Sequence, residues 1–170
     1  MTVQPRKPTP DLDLPLVGGG RFVLSAQTPG SFTMLVVYRG LHCPICKGYL
    51  ADLNRRFEEF SALGVTPVAI SSDNAERATE AKVNWKLDKL PVAYEMSIAQ
   101  GRQWGLSVSH ALSDNEPAEF LEPGLFLVKP DRTLYAASVQ TMPFARPSFG
   151  DIAGAVKFVT EKNYPARGEA

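Results

Sequence analysis

The stretch Phe32-Thr-Met-Leu-Val-Val-Tyr38, followed by Arg39-Gly-Leu-His42 and then Cys43-Pro-Ile-Cys46, decides the fold. Its first seven residues are apolar, β-branched or aromatic without a break, which is typical of a strand buried on both faces of a parallel sheet. After the cysteines, apolar side chains recur at helical spacing from Ile45 onward, and Gly64 is placed where a helix would end. The pattern predicts a central strand, a short loop and a helix, with both cysteines at the junction.

This junction favours an ionised thiol. The first turn of a helix has unpaired backbone N–H groups and a partial positive charge, and both stabilise an anion. We therefore expect Cys43 to ionise more readily than a free cysteine, whose pKa is about 8.5, and to be the exposed nucleophile. Pro44 suits the first helical position because its missing N–H costs nothing there. Cys46 faces back along the same turn, close enough to form a disulfide, and is expected to be the more buried resolving partner.

Two neighbours of the cysteine pair are candidates for activating it. Arg39 could place positive charge near Cys43, although a basic residue near the start of a helix is more often simply solvated. His42 directly precedes the nucleophile and could act as an acid or base near neutral pH. The alternative for His42 is an exposed loop histidine without a chemical role.

The cysteine pair has two further interpretations besides redox chemistry. A zinc site needs about four ligands, but the only histidines are His42 and His110 and there is no second cysteine pair, so zinc is disfavoured. An inert remnant is the remaining alternative, but a lone Cys-x-x-Cys in a reducing compartment is seldom structural, so redox activity is favoured. We expect that the reaction requires no metal, flavin or nucleotide cofactor. The run Gly18-Gly-Gly20 is not a phosphate loop, because no lysine followed by serine or threonine comes after it, and it is typical of a hairpin turn.

Length and charge limit the remaining classes of function. A chain of 170 residues is long enough for one domain with its own core, and we expect residues 1–170 to form that domain with 1–8 as a loose arm. Lysine plus arginine and aspartate plus glutamate each number 18, so no basic excess exists for binding nucleic acid. The apolar runs are far shorter than the roughly 20 residues that span a bilayer, and no secretory signal is recognised at the start. We therefore expect a cytoplasmic protein that does not associate with membranes.

The rest of the chain alternates predicted strands and helices. A strand over Val65–Ser71 and a helix over Ala75–Leu87 are followed by a short strand and a short helix. Residues Leu106–Glu122 are polar and irregular, which predicts a long loop that could act as a flap or contact surface. A hairpin over 125–139 and a helix over 148–162 complete the chain. This order predicts an α/β fold with a central mixed sheet flanked by helices.

The same order of elements resembles the thioredoxin fold and, within it, the peroxiredoxin-like alkyl hydroperoxide reductase and thiol-specific antioxidant family. Thr9–Leu24 resembles the family's N-terminal β-hairpin, and Val36–Cys46 resembles its members that carry a Cys-x-x-Cys. Gly124–Val128 and Met142–Pro147 fall where the family has a later strand and a strand-to-helix turn. The resemblance covers roughly residues 9 to 160.

Two residues depart from the family pattern. Typical peroxiredoxins have a threonine three residues before the peroxide-attacking cysteine, where this chain has Gly40. Many have an arginine just before the Gly-Leu-Phe strand, where this chain has Pro123. A proline there resembles the thioredoxin pattern and implies a cis peptide bond that lies against the disulfide and helps to dock the substrate. Arg146 could supply the missing positive charge, but the sequence favours a position away from the thiols.

The resemblance implies a thiol-dependent antioxidant oxidoreductase that contributes to cell redox homeostasis. In that mechanism Cys43 attacks a peroxide oxygen or a substrate disulfide, Cys46 resolves the product, and a thioredoxin-like protein or a small thiol restores the dithiol. A protein disulfide oxidoreductase with little peroxidase activity and a non-enzymatic redox sensor or binding module remain as alternatives. The sequence leaves the choice of substrate, the reductant and the oligomeric state open, and a homodimer is one of the states it allows.

Overall fold

The computed structural model describes residues 2–170. The strands are β1 (Asp13–Pro15), β2 (Arg21–Val23), β3 (Phe32–Val37), β4 (Val65–Ile70), β5 (Val92–Ala93), β6 (Val108–His110), β7 (Glu119–Leu121), β8 (Gly124–Val128) and β9 (Leu134–Val139). The helices are α1 (Pro44–Arg55), α2 (Phe57–Ala62), α3 (Ala75–Asn84), α4 (Ile98–Gln103) and α5 (Phe149–Lys162). Among these residues no helix is both long and apolar enough to cross a bilayer.

A five-stranded mixed sheet forms the centre, in the order β5-β4-β3-β8-β9. The strands β3, β4 and β5 run parallel, while β8 is antiparallel to both β3 and β9. Two separate two-stranded sheets, β1-β2 and β6-β7, complete the architecture. This confirms the predicted α/β class, the mixed sheet and the N-terminal hairpin.

The central strand β3 divides two cores. All six of its residues are buried, as its uninterrupted apolar sequence predicts. Met34 and Val36 point into the core that contains α1, α2, α3 and α5, whereas Leu35 and Val37 point into the core that contains the β1-β2 hairpin and the α4 region. Because β3 is packed on both faces, its carboxyl end is held in place. That end positions the loop that leads to Cys43 and α1.

Three local features differ from the sequence expectations. The helix after the cysteines breaks at Arg56, whose ψ of 6° leaves the helical range. The predicted loop over 106–122 contains the β6-β7 hairpin, in which Val108 pairs with Leu121; three-residue strands in a polar segment leave little periodic signal. The N-terminal arm is not loose, because Arg6 N–H donates to the Leu134 carbonyl at 2.8 Å and the arm lies along β9.

Candidate active site

The loop between β3 and α1 is held by a buried aspartate. Asp73, which follows β4, is almost fully buried, and its Oδ2 accepts a hydrogen bond from Leu41 N–H at 2.8 Å. Gly40 has φ of +136°, and a Cβ at this position would lie 2.7 Å from Asp73 Oδ1. Only glycine fits both the backbone conformation and the space. The family's threonine therefore has no room at position 40.

Cys43 caps the N-terminus of α1. Its Sγ accepts a hydrogen bond from the backbone N–H of Cys46 at 3.2 Å, and Pro44 begins the helix, as the sequence predicts. The sulfur thus uses one of the unpaired donors of the first helical turn, where the partial charge of the helix also favours an anion. Both cysteines are free thiols.

Both cysteines are buried, so the predicted exposure of Cys43 is wrong. Cys43 is 1% exposed and Cys46 is 0% exposed. Arg146, which follows β9, lies against the pair. Its Nη2 is 3.2 Å from Cys46 Sγ and 3.8 Å from Cys43 Sγ. The expectation that Arg146 lies away from the thiols is therefore also wrong.

A short network holds Arg146 in this position. Its Nε donates to the Pro143 carbonyl at 2.9 Å, and its guanidinium carbon lies 5.2 Å from the centre of the Tyr49 ring. Tyr49 in turn donates to the Pro147 carbonyl at 2.6 Å and stacks on Phe149. The segment before α5 is thus tied to α1 through the cation and its aromatic neighbour.

This environment gives the two thiols different acidities. A hydrogen bond from the Cys46 thiol contributes most to lowering the pKa of Cys43; burial opposes it, and the Cys46 N–H and the Arg146 guanidinium add to it. The pKa of Cys43 consequently lies well below its usual range. Burial, followed by the interaction with Cys43, raises the pKa of Cys46. Cys43 is therefore equipped to be the thiolate and Cys46 to keep its proton.

A second arginine, Arg39, lies on the loop between β3 and α1 that precedes Cys43. Arg39 Nε lies 3.1 Å from Glu122 Oε2, and the guanidinium carbon of Arg39 lies 4.9 Å from the centre of the Phe120 ring. Glu122 is buried, and its Oε1 accepts a hydrogen bond from Ser109 Oγ at 2.6 Å. Sequence reasoning missed Glu122 because it comes from the segment predicted to be a loop.

Comparison with known families agrees with this arrangement. The model of the AhpC/TSA family matches residues 5–137. The chain belongs to this family. It is a thiol-dependent antioxidant oxidoreductase of the peroxiredoxin type, an enzyme class that acts on peroxides with thiol reductants, as the resemblance in sequence implies. Comparison with curated proteins gives no match.

Solved peroxiredoxin structures share the fold. Peroxidoxin BcpB from Mycobacterium tuberculosis is 20% identical, with 91% of this chain and 96% of that chain covered and a TM-score of 0.70. A mutant of peroxiredoxin 6 from Arenicola marina is 14% identical, with coverages of 95% and 75% and a TM-score of 0.81. AhpC from Enterococcus faecalis is 15% identical, with coverages of 98% and 99% and a TM-score of 0.74.

Pro123 occupies the position where the AhpC/TSA pattern has an arginine, but it lacks the thioredoxin geometry. Residues 2–170 contain no cis peptide bond, so the expected cis bond before Pro123 is wrong. The flanking backbone is held by pairing on both sides: Glu122 N–H donates to Ser107 at 2.8 Å, and the Pro123 carbonyl accepts from Gln140 at 3.0 Å. Substrate docking by Pro123 stays a prediction.

His42 is packed rather than solvated. Its ring lies 4.6 Å from the centre of the Phe120 ring in an edge-on arrangement, which excludes the exposed-loop alternative. Burial, followed by the charge of Arg39, lowers the pKa of His42. An acid or base role for His42 stays a prediction. Among residues 2–170 no three histidine, cysteine or acidic side chains gather as a metal site would require.

Proposed function

We propose that Cys43 is the peroxidatic cysteine of this enzyme and that Cys46 is its resolving cysteine. The observation that carries this assignment is the contact of one guanidinium, that of Arg146, with both sulfurs at the start of α1. A cation and helix N–H groups at one sulfur favour its thiolate, which is the form that attacks peroxides. The raised pKa of Cys46 leaves its proton available for the second step.

The reaction proceeds in two steps. The Cys43 thiolate attacks one peroxide oxygen, the O–O bond breaks, and the leaving alkoxide or hydroxide takes a proton to become an alcohol or water. Cys43 is then a sulfenic acid. The Cys46 sulfur attacks the Cys43 sulfur, the S–O bond breaks, and the hydroxyl leaves as water with the proton of Cys46. Two equivalents of an external thiol reduce the resulting disulfide and restore both thiols.

The burial of the two sulfurs supports a small substrate. A peroxide of a few atoms needs only a small displacement of Arg146 to reach Cys43, whereas a protein disulfide must bring two sulfurs and their backbone against a residue that is 1% exposed. The same argument favours a small thiol over a protein as the reductant. We also propose that the enzyme works in the cytoplasm, because its catalytic cycle consumes reduced thiols and that compartment supplies them.

Rapid mixing of the reduced enzyme with one equivalent of hydrogen peroxide tests this proposal. We expect both thiols to disappear within seconds. Cys43→Ser should abolish the reaction, because no thiolate remains at the site. Cys46→Ser should react at a similar rate but stop at the sulfenic acid, which dimedone traps and mass spectrometry detects on Cys43.

Two outcomes would contradict the proposal in different ways. Full activity of Cys43→Ser would show that the nucleophile is assigned wrongly. Thiols that survive for many minutes with peroxide, but are lost rapidly when an oxidised protein such as insulin is added, would make the enzyme a protein disulfide oxidoreductase.

A further inference from the structure

Buried polar atoms that lack a hydrogen-bond partner gather around the cysteine pair. Within residues 2–170, seven buried side-chain nitrogen or oxygen atoms have no such partner, and only Trp104 Nε1 lies in the opposite core. The other six belong to Tyr38, Arg39, His42, Glu122 and Arg146. Unpaired buried polar atoms are costly, so a concentration of them beside a reactive thiol indicates a function beyond folding.

Glu122 is the only carboxylate in this group, and a hydrogen bond from Ser109 holds its side chain in place. The Ser109 hydroxyl donates to its Oε1 at 2.6 Å, so the β6-β7 hairpin fixes the direction of the carboxylate. Its Oε2 lies 3.1 Å from Arg39 Nε without the alignment of a hydrogen bond. The contact is therefore an ion pair, and the side chains are largely buried, with 6% and 19% of Glu122 and Arg39 exposed.

Arg39 has a second anionic neighbour, the Cys43 sulfur. Burial acts to lower the pKa of Arg39, but the charges of Glu122 and of the Cys43 sulfur outweigh it, so the pKa lies above its ordinary value. Phe120 lies under the Arg39 guanidinium, and the same ring packs against His42, the residue next to Cys43. Glu122 and Phe120 thus hold Arg39 close to the residues that adjoin the reactive sulfur.

We propose that Glu122 is a positioning residue that, with Ser109 behind it, holds the Arg39 guanidinium beside Cys43. Arg39 then supplies a positive charge from the loop between β3 and α1, in addition to that of Arg146. The inference rests on the proposed role of Cys43 as the nucleophile. Glu122 itself touches neither substrate nor sulfur and acts only through Arg39.

The direction in which the pKa of Cys43 shifts on removal of Glu122 shows whether Glu122 positions Arg39 or acts only as a nearby negative charge. If Arg39 keeps its place without Glu122, removal of a nearby negative charge stabilises the thiolate, and the pKa of Cys43 falls. If Glu122 holds Arg39 in place, its removal lets the guanidinium move away, and the pKa of Cys43 rises. The two roles therefore predict opposite shifts of the same quantity.

Glu122→Gln tests the proposal, with Glu119→Gln, at the exposed first residue of β7, as the matched control. The pKa of Cys43 is followed by thiolate absorbance in a Cys46→Ser background, and the rate constant with hydrogen peroxide by stopped flow. We expect Glu122→Gln to raise that pKa and to slow the reaction about tenfold, which is the weight of one charge-assisted hydrogen bond. Glu119→Gln should change neither.

Arg39→Ala completes the cycle. If Glu122 acts through Arg39, the double variant should react no more slowly than Arg39→Ala alone, because the two changes remove one interaction. An unchanged or lowered pKa of Cys43 in Glu122→Gln would overturn the proposal, as would fully additive losses. Loss of activity in Cys43→Ser with an unaffected Glu122→Gln would refute this inference and leave the proposed function standing.

Ser109→Ala keeps the proposal testable if Glu122→Gln does not fold. It removes only the hydroxyl behind Glu122, and we expect a smaller rise of the pKa of Cys43 in the same direction. A wild-type pKa and rate in both Ser109→Ala and Arg39→Ala would overturn the proposal.

Discussion

Asn54 and the cysteine site are both buried polar regions of α1 and its surroundings, yet they are built in opposite ways. Asn54 uses its amide fully. Its Nδ2 donates to Asp88 Oδ1 at 2.7 Å and to the Lys86 carbonyl at 3.4 Å, and its Oδ1 accepts from the N–H groups of Lys89 and Leu90 at 3.0 and 2.9 Å. Around Cys43 and Cys46, by contrast, six buried polar atoms have no hydrogen-bond partner among residues 2–170.

The difference separates polar groups that serve folding from polar groups that serve chemistry. The hydrogen bonds of the Asn54 amide offset the free energy that its burial costs. They also hold the loop after α3 in place. An unpaired donor beside the thiols, such as Arg146 Nη1, costs stability in the resting enzyme but is free to meet the charge that develops when a peroxide O–O bond breaks. Substitutions should therefore affect stability in one region and reactivity in the other.

The largest effect on reactivity, apart from the loss of Cys43 itself, is expected from Arg146→Met. Methionine fills similar space without the charge that contacts both sulfurs. We expect the rate constant with hydrogen peroxide to fall about a hundredfold, as for the loss of one preorganised donor to a developing anion. The free energy of unfolding in urea should fall by only about 1 kcal/mol, because the bond from Nε to the Pro143 carbonyl is lost but the burial of Nη1 without a partner is relieved.

Lys47→Met is the matched control for Arg146→Met. Lys47 is an exposed cation in the first turn of α1, so its removal tests general charge near the helix start without the contact to sulfur. Its rate constant should stay within about twofold of the wild-type value because exposed charges are screened by solvent. Equal losses in both variants would show that charge alone, rather than the placement of Arg146, governs reactivity.

Asn54→Ala should produce the converse result. The change leaves the backbone N–H groups of Lys89 and of the buried Leu90 without their acceptor and removes the bond to Asp88, so we expect the free energy of unfolding to fall by about 2–4 kcal/mol. The peroxide rate constant of the folded variant should equal that of the wild type. Asn84→Ala, at an exposed position on α3, should change stability by less than about 0.5 kcal/mol. Slower peroxide reduction by folded Asn54→Ala would break the division between the two regions.

The sequence predicts the local parts of this enzyme well because they depend on neighbouring residues. The buried strand, the cap at Cys43 and the helix start at Pro44 all follow from a run of fifteen residues, 32–46, and the structure confirms them. The sequence shows that Gly40 departs from the family pattern, but it does not show why glycine is needed there. The Asp73 carboxylate, which leaves no space for a Cβ at position 40, lies in the loop after β4.

The parts that the sequence misplaces depend on distant contacts. Arg146 is about one hundred residues from the thiols along the chain, and nothing near it in the sequence indicates that β9 returns it to α1. Glu122 escaped notice because short strands in a polar segment give no periodic signal, so its burial follows only from the pairing of β6 with β7.

The smallest expected effect is that of pH on the reaction of Cys43 with peroxide. A hydrogen bond from the Cys46 thiol, together with the Cys46 N–H and Arg146, holds the pKa of Cys43 well below its usual range despite burial. The thiolate is therefore already formed at neutral pH, and its fraction falls only as the pH drops through the lowered pKa. Between pH 8 and pH 6 we expect the rate constant to change less than about twofold, whereas a free thiol with a pKa of about 8.5 loses nearly a hundredfold. Burial and the charge of Arg39 lower the pKa of His42 as well, so His42 titrates at a lower pH than a free histidine.

Arg146→Met provides the internal comparison for the pH profile. With the cation gone, the pKa of Cys43 should rise, so the variant's rate constant should fall more steeply towards pH 6 than that of the wild type. Stopped-flow measurements at constant ionic strength give both profiles. A wild-type rate constant that falls tenfold per pH unit below pH 8 would show that the thiolate is not stabilised. Parallel profiles in the two proteins would show that Arg146 acts on the departing oxygen and leaves the ionisation of Cys43 unchanged.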